Sequence, residues 1–183
     1  MFEIIESGIP GLFRFKPAIS KDFRGEFVKY YHARFFEEHG LETNFGEVYY
    51  SVSNRHVLRG LHFQVPPADL TKIVVCMRGK ITDIVIDIRV SSPTYGECRT
   101  FNLNDQEEMA LYVPSGMAHG FYVESPDTLV HYLVSKVYDP ILEKGIHWRS
   151  AESCLPDIQP IVSVRDESAP MLHMFDSPFV YRH

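Results

Sequence analysis

Cysteine is scarce in this chain: Cys76, Cys98 and Cys154 are the only three, and they lie far apart. An odd, dispersed set excludes a disulfide framework and a zinc knuckle, and fits a reducing compartment. Long apolar runs are missing too, since none approaches the roughly 18 residues that cross a bilayer as a helix. The opening segment MFEIIESGIPGLFRF has no basic stretch followed by an apolar one, so no export signal and no membrane association are expected, and the cytoplasm is the expected setting. Positive charge is in deficit, with 18 Lys+Arg against 24 Asp+Glu and no basic block, which argues against a nucleic-acid partner. No fixed-period repeat, low-complexity tract or Gly/Ser linker interrupts the sequence. Residues 1–183 are therefore read as a single domain, large enough to bury its own core.

Helical periodicity is also sparse. One short helix is expected over Ala33–Gly40, with Gly40 as its stop. Elsewhere short runs rich in Val, Ile, Thr, Phe and Tyr recur between Gly, Pro, Asn and Asp: Glu47–Ser53, Leu58–Gln64, Lys72–Met77, Ile81–Arg89, Arg99–Leu103, Met109–Val113, Gly120–Val123 and Thr128–Val137. Evenly spread short strands without long helical crossovers predict an all-β, mostly antiparallel sandwich or barrel. Arg78-Gly79-Lys80 reads as a tight hairpin turn and Pro114-Ser115-Gly116 as a second turn. The tail Met171–His183 is too apolar to be disordered, and packing on the barrel or on a partner subunit is expected.

Alternation along each strand sorts side chains onto faces. Ile84, Ile86 and Ile88 form an apolar core stripe, opposite Asp83, Val85, Asp87 and Arg89. Lys72 shares a face with Val74 and Cys76, His62 with Gly60 and Gln64, and Tyr132 with Thr128, Val130 and Val134. Several strands thus combine one apolar face with one that mixes small apolar and titratable residues. The outside of a sandwich gives the same pattern, but the density of titratable groups here exceeds what solvation alone requires.

The nine histidines raise the question of a metal, yet no His-x-His occurs to place two ligands on one strand, and no metal is expected. A Gly-x-Ser-x-Gly nucleophile elbow and a phosphate-cradling glycine loop are also missing. A general acid–base set remains, drawn from His62 in Leu58–Gln64, His119 beyond the Pro114 turn, and Tyr132. Taken singly, each reads better as a hydrogen-bonded structural residue than as a catalyst.

Taken together they resemble a known family. Asp22-Phe23-Arg24-Gly25-Glu26-Phe27, Leu58-Arg59-Gly60-Leu61-His62-Phe63-Gln64, Lys72-Ile73-Val74, Val85-Ile86-Asp87-Ile88-Arg89, Ser92-Pro93-Thr94-Tyr95-Gly96 and Ala118-His119-Gly120-Phe121 follow one another in the order and spacing of the dTDP-4-dehydrorhamnose 3,5-epimerase family. Tyr132, Tyr138-Asp139-Pro140, Gly145-Ile146 and Ser163-Val164-Arg165-Asp166 extend the resemblance to about residue 170. It implies a cupin-like jelly roll, a homodimer, no cofactor, a nucleotide-sugar substrate and a place in deoxysugar (lipopolysaccharide O-antigen) biosynthesis. It also implies roles: His62 as base, oriented by Asp166; Tyr132 as acid on the opposite wall; Lys72 beside the developing enolate. Arg24, Arg59 and His119 then contact the diphosphate and its surroundings, Phe27 and Lys29 belong to the nucleotide end, and Tyr138 belongs to the sugar pocket. Asp83, on an inward-looking face, is expected to pair with Lys72 and keep it charged.

Two departures bear on the substrate. Where the family usually reads Gln-x-Asn-x-Ser-x-Ser, this chain has Glu47, Tyr49, Ser51 and Ser53, so that a carboxylate replaces an amide and a phenol replaces a short amide. Lys29 stands where the family commonly has Glu, which leaves CDP- or GDP-linked sugars open. The alternatives are a mono-epimerase acting at C3 or C5 only, a sugar-nucleotide 3,4-ketoisomerase, and a non-catalytic sugar-nucleotide-binding barrel.

Overall fold

The structure, a computed structural model, describes residues 2–106 and 110–182. Thirteen strands are formed among the described residues: β1 Glu3–Glu6, β2 Phe13–Lys16, β3 Ala18–Asp22, β4 Gly25–Lys29, β5 Glu47–Ser53, β6 Leu58–Gln64, β7 Lys72–Arg78, β8 Lys80–Asp87, β9 Cys98–Asn104, β10 Ala110–Val113, β11 Met117–Val123, β12 Thr128–Val134 and β13 Glu143–Gly145. Helix α1 spans Ala33–Glu38 and α2 spans Val164–Glu167, with 3-10 turns at Trp148–Cys154 and Leu172–Met174. Met109, expected to open a strand, and His183, the end of the tail, lie outside the described residues. No helix among the described residues is long and apolar enough to cross a membrane.

The strands form two facing sheets, in the orders β1-β2-β10-β7-β12-β5 and β13-β6-β11-β8-β9, with β3 and β4 as a separate hairpin. All ladder pairings between strands are antiparallel. Of the barrel and the sandwich, the molecule is the sandwich. The Arg78-Gly79-Lys80 hairpin is a correction: β7 and β8 meet at this turn but belong to different sheets. Gly79 takes φ +87° there, its N–H donates to Asp105 Oδ2 at 2.8 Å, and the Lys80 N–H donates to Ser125 Oγ at 2.7 Å. Those side-chain acceptors satisfy the backbone while the chain crosses from one sheet to the other.

Three apolar clusters explain the strand patterns. Between the sheets pack Val74, Cys76, Val85, Leu111, Phe121, Val130, Tyr132 and Val134. Phe15, Phe36, Ile73, Val75 and Leu133 cover the outside of the six-stranded sheet beneath α1. Ile84, Ile86 and Ile88 face away from the sandwich interior, where Leu58, Trp148 and Phe179 cover them. Both faces of β8 are therefore buried, which is why its inward face can hold Asp83 and Asp87 fully out of solvent. The tail lies on the same outer layer. Phe175 and Phe179 pack edge-on against Phe63 at 5.1 and 5.9 Å, and Val180 bridges to Val90.

Candidate active site

A cavity of about 680 Å³ opens between the two sheets. The five-stranded sheet contributes Arg59 and His62 from β6 and His119 from β11; the six-stranded sheet contributes Glu47, Tyr49 and Ser51 from β5, Lys72 from β7 and Tyr132 from β12. Tyr138, Glu143, Arg165 and Asp166 complete the rim.

Glycine brings β6 and β11 together. A Cβ on Gly60 would sit 2.7 Å from Gly120 Cα, and one on Gly120 would sit 2.5 Å from Arg59 O. With both side chains absent the strands close up and His62 falls opposite His119 in the ladder. Each histidine has its own carboxylate. His62 Nε2 lies 2.7 Å from Asp166 Oδ1, and His119 Nε2 lies 2.9 Å from Asp83 Oδ2.

Asp166 is 5% exposed, and its second oxygen accepts the Gly60 N–H at 3.2 Å. Burial acts to raise its pKa, but the bonds from His62 and Gly60 and the charge of Arg165 outweigh it and bring the carboxyl down to about 2. The Asp166 N–H donates to Ser163 Oγ, the N-cap of α2, which fixes the carboxylate on a short rigid turn. Arg165 lies alongside, its Nη2 2.8 Å from His62 Nε2 and its Nη1 bonded to Glu143.

Lys72 donates from Nζ to the carbonyl of His62 at 3.1 Å. Burial pulls its ammonium down to about 8, against the opposing pull of Glu143 and Asp83. The expected Asp83–Lys72 pair is a correction: the bonded partner of Asp83 is His119, and Asp83 acts on Lys72 only through space. Period-2 alternation places Asp83 on the inward face but does not distinguish between the two side chains, His119 and Lys72, reachable from it. Asp83 itself is pushed up by burial, offset by His119 and Lys72, and its Oδ1 has no partner among the described residues.

Tyr132, 7% exposed, stands edge-on to His119 with centroids 6.5 Å apart. Its phenol is held well above the usual tyrosine value, chiefly by burial and then by Tyr49 and Asp83. Tyr49 stacks on it at 4.9 Å, and its own phenol is pushed up to about 12 by burial, Glu47 and Glu143. Glu47 accepts the Tyr138 N–H at 3.1 Å, and the Tyr138 hydroxyl donates to Glu143 at 3.0 Å. Arg59 Nε donates to Ser53 Oγ at 2.9 Å.

Nine of the residues singled out from the sequence thus line one cavity: His62, Tyr132, Asp166, Lys72, Glu47, Tyr49, Arg59, His119 and Tyr138. His119 sits at the buried floor beside Tyr132, away from the rim. Arg24, Phe27 and Lys29 do not line the cavity. They occupy the β3–β4 hairpin, where Arg24 pairs with Asp22 and Phe27 is 63% exposed. Sequence reasoning missed Glu143, Lys136 and Arg165 as cavity residues. Arg165, next to Asp166 in the motif, was the one with a signal.

The sequence profile described as dTDP-4-dehydrorhamnose 3,5-epimerase matches residues 6–174. A dTDP-4-dehydrorhamnose 3-epimerase from Streptomyces niveus is 39% identical, the alignment covering 90% of this chain and 81% of that protein. A dTDP-4-dehydrorhamnose 3,5-epimerase from Shigella flexneri is 36% identical over 89% of this chain and 92% of its own. The crystal structure of the epimerase RmlC from Legionella pneumophila in complex with dTDP-4-keto-L-rhamnose superposes with a TM-score of 0.92, covering 100% of both chains at 31% identity. Motifs, two-sheet architecture and relatives agree, and the chain belongs to the dTDP-4-dehydrorhamnose 3,5-epimerase family.

Proposed function

We propose that the chain inverts C3, C5 or both of a dTDP-linked 4-keto-6-deoxyhexose by proton abstraction and return. The observation that carries this reading is that an imidazole and a phenol, on strands of two facing sheets, reach into one cavity. A proton on C3 or C5 is acidified by the C4 carbonyl. Its removal by His62 leaves the electron pair in an enolate, and Tyr132 returns a proton to the opposite face. Asp166 orients the imidazole. The Lys72 ammonium faces the developing oxyanion, where preorganised charge is worth several kcal/mol, on the order of 3. No electrons are gained or lost, so the reaction itself calls for no hydride carrier.

A second reading, inversion at one carbon only, is favoured by the Tyr49 ring stacked on Tyr132, which narrows the cavity where the family usually has a short amide. NMR of the dTDP-linked 4-keto-6-deoxyhexose incubated with the protein in heavy water separates the possibilities. Inverted, deuterated C3 and C5 support the double epimerase, and one labelled centre supports the single one. A displaced carbonyl carbon would refute both, and His62→Ala should abolish all label uptake.

We also propose a cytoplasmic homodimer in which the β3–β4 hairpin of one copy completes the nucleotide end of the other's cavity. Three free cysteines support the compartment. The hairpin supports the dimer: it carries the residues expected to meet the nucleotide, yet it stands exposed outside its own cavity.

A further inference from the structure

Returning a proton to the sugar leaves a charge on the group that gave it. Tyr132 is buried, and once its O–H bond breaks the phenolate oxygen carries that charge away from solvent, which is costly unless a donor meets it. Burial opposes ionisation first, and the Tyr49 phenol and the Asp83 carboxyl oppose it further. Two neighbours favour it: the Ser51 hydroxyl as a hydrogen-bond donor, and the Arg59 guanidinium through space. Arg59 is anchored elsewhere, its Nε donating to Ser53 Oγ at 2.9 Å and its Nη2 to the Val52 carbonyl at 3.5 Å. Ser51 is left as the donor to the phenolate.

Strand register brings it there. In the β5–β12 ladder Tyr132 stands opposite Tyr49 and Val130 opposite Ser51, so Ser51 is a diagonal neighbour of Tyr132, and both line the cavity. A diagonal pair on one face of a sheet is within reach of an aromatic side chain. The other diagonal neighbour, Glu47, is turned to the Tyr138 N–H at 3.1 Å. Ser51 Oγ is buried and at rest has no hydrogen-bond partner among the described residues. It is near enough to ease ionisation of the Tyr132 phenol, yet the bond between the two is not closed in the resting pair. A buried hydroxyl kept idle costs stability until a partner forms beside it.

We propose that Ser51 is a positioning residue of the proton-return step: its hydroxyl closes onto the Tyr132 oxygen as the phenol gives up its proton, and holds the phenolate. The inference rests on the epimerase reading and on Tyr132 as its acid. The step balances. The phenol O–H bond breaks as the new C–H bond forms at the enolate carbon, the electron pair of the O–H bond stays on the Tyr132 oxygen, and the Ser51 proton remains on Oγ throughout.

The test removes the donor and then supplies its effect by another route. Ser51→Ala should slow single-turnover inversion about 30-fold, the range for one donor to a buried anion, while dTDP affinity by calorimetry stays within about two-fold. Ser51→Cys, of nearly the same shape but a weak donor, should fall between, and it carries the same test if the alanine variant melts early. A ring-fluorinated tyrosine at position 132 is a stronger acid, so it should recover at least about five-fold of the loss in the Ser51 variant but gain less than about two-fold in the otherwise unaltered chain. Inversion at the unaltered rate in a folded Ser51 variant would overturn the inference. So would an equal gain from fluorination with and without Ser51, which marks a loss of packing and not of a donor. Absence of inversion by the unaltered chain, or full inversion by Tyr132→Phe, is a different failure: it overturns the functional reading itself, and this inference with it.

Discussion

Under the proposed mechanism, burial of Lys72 sets the pH range of the chemistry. The ammonium is brought down to about 8 by desolvation, with Glu143 and Asp83 opposing. A lysine whose folded value lies below its unfolded one costs stability while charged, and that cost fades as pH rises from about 8 toward the unfolded 10.5. Catalysis should run the other way. The positive charge facing the enolate is lost above about pH 8, so kcat should fall there even as this site becomes less costly to fold. Lys72→Arg, which keeps its charge, should lower kcat but move the alkaline limb upward; an unmoved limb would contradict the assignment. Much of this scale was legible in the sequence, because Arg59-Gly60-Leu61-His62, Lys72, Tyr132 and Asp166 stand where the family resemblance implies site residues. Pairing was not legible. Asp83 and Lys72 share the interior, but β11 sets His119 opposite Val85 and diagonal to Asp83, and no local pattern encodes that cross-strand contact.

Strand positions 47–53 and 58–64 were readable to the residue. The first four strands and β13 were not. They are short, and β3 and β4 present mostly exposed residues with no apolar face to reveal them. The turn at Gly79 was recognisable as a turn, but a turn does not announce whether the next strand pairs or crosses to the other sheet. The β3–β4 hairpin gives the prediction at this scale. If it completes a partner's cavity, Phe27→Ala should leave the melting temperature within a few degrees, because Phe27 is mostly solvent-exposed. The same change should weaken dTDP binding several-fold by calorimetry. Unchanged affinity, or a monomer by sedimentation, would remove the hairpin from the site.

For the whole molecule, two facing sheets do what one cannot: they bring an imidazole and a phenol into one cavity from different sheets. The five-stranded sheet carries His62 with its carboxylate, and the six-stranded sheet carries Lys72 and Tyr132. The outer layers, α1 on one side and the C-terminal segment on the other, bury the backs of both sheets and fix their separation. The family pattern made this architecture legible, but the choice of an open sandwich over a closed barrel was not, since strand order is settled by long-range pairing that local sequence does not record. The central claim is that His62 and Tyr132 divide proton removal and return between them. Tyr132→Phe in heavy water tests it, with inversion and label in recovered substrate followed together by NMR. The account predicts that inversion falls at least about 100-fold while substrate labelling through His62 persists; a variant that keeps the wild-type ratio of inversion to labelling would contradict it.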